Sequence, residues 1–224
     1  MKKKVFALSL ALGALALILS AGTLAYFTDT DNVVNTFTLG NVDIELDEAK
    51  VELENGAYVA KDSRVKSNTY EGLFANQVVP KDPTVKNVGN TSAYLRVNLT
   101  VNNLGFGNIF GVDAPYEGDP STITEDMLSN VLVGYDADKW DFTPSWSFSD
   151  ENIKFSFVYT GTLAADETVT LFDSFKLPSW LSSDSAFTQI ASSNGFTMDI
   201  TADAIQAEGF NDAATAIAAF DAQN

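Results

Sequence analysis

The chain has 224 residues, with 13 Lys and Arg against 30 Asp and Glu for a formal net charge of −17, and it contains neither His nor Cys. Without those two residue types a disulfide framework, a thiol nucleophile, a Ser/His/Asp or Cys/His arrangement and a His-Glu-x-x-His zinc site cannot be written. So acidic a surface repels nucleic acid and anionic lipid.

Lys2, Lys3 and Lys4 open the chain, and Val5 to Leu24 follow without a charge, which is the pattern of an export signal. Thr23 and Ala25 put small residues at the −3 and −1 positions of a signal peptidase site, so cleavage is expected between Ala25 and Tyr26, with residues 1–25 as the signal peptide. A run of about 20 apolar residues also suffices to span a bilayer. An uncleaved N-terminal anchor is therefore the alternative, and this segment is the only membrane contact expected. Cleavage removes three of the 13 basic residues and none of the 30 acidic ones, leaving 10 − 30 = −20.

Residues 26–46 read as a strand arm. Val42-Asp43-Ile44-Glu45-Leu46 alternates apolar and acidic residues, the mark of a half-buried strand. Phe37 and Leu39 have the opposite parity, so the face switches at Gly40-Asn41, where a bulge suits glycine, and the segment is expected to serve two pairings. Such an arm can pair with the sheet edge of another subunit, with Phe27, Val33, Phe37 and Leu39 as plugs. It can equally fold back on its own sheet, and alternation alone does not choose. Asp29, Asp31 and Asn32 offer hard oxygen ligands to calcium, as do the pairs Asp136/Asp138 and Asp43/Glu45, although the full EF-hand loop is absent and turn-forming Asp is the commoner use. No cofactor is expected, with calcium as the alternative.

Residues 47–224 read as one domain. Alternation continues at Leu95 to Val101, Ile153 to Phe157, Val169 to Leu171 and Phe196 to Ile200, with shorter candidates at Val51 to Leu53, Tyr58-Val59 and Thr84 to Val88. Eight to ten strands separated by Gly, Asn, Asp and Pro turns argue an all-β antiparallel sandwich. Short helical insertions are expected near 121–132, where Thr122 and Glu125 have capping-box spacing, and at 183–193. A last short helix runs from Asn211 to Phe220, capped by Asn211 or Asp212, with Ile217 and Phe220 on the sheet edge. Residues 102–120 form a Gly- and Pro-punctuated surface loop. Trp140, Trp146 and Trp180 are candidates for a glycan-stacking platform, with core packing as the plainer use.

Leu24-Ala25-Tyr26-Phe27-Thr28-Asp29, followed by Phe37-Thr38-Leu39-Gly40-Asn41-Val42-Asp43-Ile44, resembles the TasA/camelysin (CalY) family. Two further blocks agree: Val79-Pro80-Lys81-Asp82-Pro83-Thr84-Val85-Lys86-Asn87-Val88-Gly89-Asn90 running into Ala93 to Val97, and Gly161-Thr162-Leu163 running through Glu167 to Phe172. The resemblance implies a jelly-roll form of the sandwich, processing by a SipW-type signal peptidase, and a non-enzymatic role as a fibre subunit of the extracellular biofilm matrix in Gram-positive bacteria. Its partners would be further copies of itself or paralogous matrix subunits, its location the matrix or cell surface, and its assembly device the donation of a β-strand. The alternative is a monomeric surface or accessory module binding glycan or protein. A metal-dependent protease, as the camelysin name suggests, is the least supported, because no catalytic residues can be assigned without histidine.

Overall fold

The computed structural model describes residues 41–102, 124–143, 152–179 and 197–222. It is mostly β, and every strand pairing in it is antiparallel. The eleven strands among the described residues are β1 (Ile44–Glu54), β2 (Ala57–Val65), β3 (Val78–Pro80), β4 (Thr84–Asn87), β5 (Ala93–Asn102), β6 (Leu132–Val133), β7 (Trp140–Thr143), β8 (Asn152–Tyr159), β9 (Thr168–Thr170), β10 (Ser174–Lys176) and β11 (Met198–Gln206). Two helices join them, α1 (Glu125–Val131) and α2 (Ala213–Asp221).

The strands form three sheets, ordered β2-β1-β4-β9, β3-β10-β6 and β11-β5-β8-β7. Period-two alternation explains how they pack. On β5, Leu95, Val97, Leu99 and Val101 face inward, and on β8 Ile153, Phe155 and Phe157 do so. They meet Val79, Val85, Leu132, Val169 and Phe175 from the other two sheets in a single core, which makes the all-β sandwich expected from the alternation. Fully burying each such side chain is worth about 1.5–3 kcal/mol.

β1 is shared between two neighbours. Ile44 to Asp47 pair with β4, and Glu48 to Glu54 pair with β2, with an irregularity between Ala49 and Val51. Two pairings were expected of this region, but here the change of partner falls between Asp47 and Glu48, just before that bulge; Gly40 lies outside the described residues. Residues 44–46, assigned to the arm from sequence, are the start of β1. The β1–β2 hairpin closes through Asn55 (φ 50) and Gly56 (φ 83), the pair of positive φ values that a two-residue type I′ turn requires.

The helices correct two details. Thr124, not Thr122, caps α1, its side chain accepting from the Met127 amide at 3.4 Å. Asp212 caps α2, accepting from the Thr215 amide at 2.7 Å. α2 lies over the outer face of the β11-β5-β8 sheet and not along its edge: Ala213 and Ala216 pack with Tyr94, Val158, Ile205 and Phe210. The insertion expected at 183–193 lies outside the described residues.

Candidate functional site

The arm would enter this domain at residues 41–43, and the entry is clamped. The amides of Val88 and Gly89 donate to the Asp43 carbonyl at 2.9 and 3.0 Å, the Asn90 amide donates to the Asn41 carbonyl at 3.1 Å, and the Asn41 amide donates to Asn90 Oδ1 at 2.8 Å. Asn87, fully buried, holds the clamp in place: its Nδ2 donates to the Thr91 and Leu163 carbonyls, and its Oδ1 accepts from the Gly89 amide. A Cβ on Gly89 would lie 2.2 Å from the Asn41 carbonyl oxygen and 2.8 Å from the Asp43 nitrogen, so only glycine lets the two segments approach.

The long edge strands are β2 and β11, of nine residues each. They differ in chemistry. β2 carries Lys61, paired with Glu54 and, at 3.7 Å, with Glu52. It also carries Arg64, paired with Asp82 and, at 2.8 Å, with Asp47. The bond to Glu54 raises the Lys61 pKa, and the bond from Lys50 lowers that of Glu52. Burial pulls Arg64 down, but its bonds to Asp82 and Asp47 outweigh this and leave it raised. Such charges discourage another strand from pairing. β11 contains no Lys, Arg or Pro, and its only charges are the acids Asp199 and Asp203. Its Met198, Ile200, Ala202 and Ala204 face the core and are only partly buried, and among the described residues no strand pairs with its outer edge.

A cleft of about 190 Å³ opens between β1 and β11, with Leu46 and Ile200 among the residues lining it. Its polar wall is ordered. Glu48, 5% exposed, pairs through Oε2 with Lys81 Nζ at 2.6 Å and accepts from Asn68 Nδ2 at Oε1 at 2.9 Å. Asn68 also serves the β1 bulge, accepting from the Val51 amide and donating to the Ala49 carbonyl, both at 2.8 Å. The Ala49 amide donates to Asp82 Oδ1 at 2.7 Å. Beside them, Tyr70 donates to the Pro80 carbonyl, and burial, with Glu48 and Asp82 nearby, raises its pKa.

Of the residues singled out from sequence, the cleavage pair Ala25 and Tyr26, the plugs Phe27, Val33, Phe37 and Leu39, the carboxylate set Asp29, Asp31 and Asn32, and the tryptophans Trp146 and Trp180 all lie outside the described residues. Trp140 does not serve as a glycan platform. It is 1% exposed, packs 5.3 Å from Tyr159, and its indole N–H donates to the Thr170 carbonyl at 3.3 Å, so neither ring face is open to a sugar. Alternation did not single out Glu48, Asn68 and Lys81. A signal was present, because Glu48 has the parity of Ile44 and Leu46, and an acid at an apolar-face position implies a buried partner.

A second polar network ties α2 to the sheet. Arg96 donates to Asp203 from Nε at 3.0 Å and from Nη2 at 2.8 Å, and to Asp221 from Nη1 at 2.9 Å; Phe220 lies under its guanidinium. Asn98 donates to the same Asp203 oxygen and accepts from the Ser156 hydroxyl. Burial alone would lower the Arg96 pKa, but the bonds to Asp221 and Asp203 raise it.

A family model described as camelysin metallo-endopeptidase matches residues 1–79. The resemblance read from the N-terminal block is borne out there. No curated protein matches the chain. The family's description implies a metal; the chain has no His or Cys to bind zinc, and among the described residues no three Asp or Glu side chains converge on a site.

Proposed function

We propose, from the camelysin family match that residues 1–79 carry, that this chain is a secreted, non-enzymatic subunit of an extracellular matrix fibre that assembles by β-strand addition. The observation that carries this reading is the outer edge of β11, nine residues long, free of Lys, Arg and Pro and backed by half-buried Ile200, Ala202 and Ala204. Natural edges are normally blunted by charge, proline or cover. In this reading the arm of one subunit, released by signal peptidase after Ala25, pairs with β11 of the next. Phe27, Val33, Phe37 and Leu39 supply buried area at about 1.5–3 kcal/mol apiece, and the head-to-tail contact produces an open fibre. The matrix role, the self-partner and the extracellular location rest on the resemblance. Calcium at Asp29, Asp31 and Asn32 is an optional addition.

The test is electron microscopy with sedimentation on the chain from Tyr26, compared with one starting at Gly40. The shorter chain keeps the 41–43 clamp and all of β1. Fibres from the longer chain alone are the expected result; equally monomeric species would overturn the reading, and chelator-sensitive peptide cleavage would replace it with the protease of the family's description.

A further inference from the structure

The geometry points to an intramolecular cross-link: we propose that Lys81 and Asn68 join through an amide bond, with Glu48 carrying the protons. The inference is independent of fibre assembly. It rests on two side chains that meet on the Glu48 carboxylate within the β1–β11 cleft. Glu48 Oε2 contacts Lys81 Nζ at 2.6 Å, and Oε1 accepts from Asn68 Nδ2 at 2.9 Å, so amine and carboxamide are neighbours on the two oxygens of a single group. The side chains of Lys81 and Glu48 are 13% and 6% exposed, which keeps most water from the pair.

Each role the aminolysis of an amide needs is filled. The Lys81 ammonium passes a proton to Glu48 Oε2, and the neutral Nζ attacks Asn68 Cγ. Negative charge develops on Asn68 Oδ1, where the Val51 amide already donates at 2.8 Å, a fixed hydrogen bond at the place an oxyanion would form. Glu48 then delivers a proton to Asn68 Nδ2, whose other hydrogen bond is held by the Ala49 carbonyl at 2.8 Å. The Cγ–Nδ2 bond breaks, ammonia leaves and takes up the remaining proton as ammonium, and Glu48 ends as the carboxylate it began. One C–N bond forms and one breaks, with no oxidant or other reactant. Holding both groups on one carboxylate replaces a collision in solution with a reaction between tethered neighbours.

The link would span β1. Asn68 follows β2, Lys81 precedes β4, and both strands pair with β1, which carries Glu48. A chain without cysteine would thereby acquire a covalent staple across the β2-β1-β4-β9 sheet.

Intact and peptide mass spectrometry of the full chain tests it. The expected protein is lighter by one ammonia than its sequence; trypsin fails to cut after Lys81 and leaves residues 67–86 as one peptide with the same deficit. Cutting that peptide after Glu71 leaves its two pieces joined. Lys81→Arg keeps the ion pair but cannot form the amide, and it and Glu48→Gln restore the full mass. A wild-type chain of full mass with separable pieces overturns the proposal, whatever the variants do. So does an ammonia loss that persists in Lys81→Arg or maps to Asn55-Gly56 or Asn194-Gly195.

Discussion

Arg96 shows how much one side chain can hold when it sits between a sheet and a helix. Its bonds to Asp203 on β11 and Asp221 at the end of α2 secure the helix over the Tyr94 face. The hydrogen bond from Arg96, with charge from Arg96 and Lys154, holds the Asp221 pKa below the usual carboxylate value, against a smaller opposing effect of burial. A carboxylate depressed in the folded state contributes stability that is present above its unfolded pKa of about 3.9 and is lost as pH falls through the folded value. Urea midpoints measured from pH 6 down to pH 2 should therefore fall more steeply below about pH 4 in the wild type than in Asp221→Asn. Parallel curves would show that the contact contributes nothing, as many exposed pairs do. At this scale the sequence was partly legible. Trp140 as a core residue followed from its alternation with Phe142. The Glu48, Asn68 and Lys81 meeting did not, because Lys81 lies 33 residues from Glu48 and only the fold brings them together.

Among the elements, the clamp at 41–43 makes the sharpest demand on sequence. Gly89→Ala would drive a methyl group into the Asn41 carbonyl, and both atoms in the way belong to backbone. The residues must part, losing two or three hydrogen bonds of about 0.5–1.5 kcal/mol each, so a destabilisation of about 1–4 kcal/mol is expected in urea unfolding. Loss of amide protection at Val88 and Asn90 should accompany it. An unchanged midpoint would mean that the segments tolerate separation. Strands long enough to display a period, β1, β5, β8 and β11, were visible as alternation. β3, β6 and β10, of two or three residues, were not, since so few positions show no period and their pairing depends on each other. The cap of α1 was misplaced because Thr122 and Thr124 are both acceptable residues, and only backbone geometry selects between them.

For the whole molecule, charge is the dominant fact. A chain of −17, or −20 when it starts at Tyr26, must overcome its own repulsion to associate, and screening shortens that repulsion to about 8 Å at physiological salt. Sedimentation of the chain from Tyr26 should shift to larger species as salt is raised from 20 to about 200 mM, the reverse of what a fibre built on intersubunit ion pairs would do. Fold class was legible at this scale because alternation and turn residues recur along most of the chain. The division into three sheets was not, since it depends on pairings between strands far apart in the chain, such as β3 with β10 and β4 with β9.

That clamp has a mechanical consequence as well. In a fibre, tension passing from one subunit to the next would enter each domain through its N-terminal segment and reach residues 41–43 before β1. The hydrogen bonds to 88–90 would then act as a fuse, yielding and re-forming under load while the sandwich behind them stays intact.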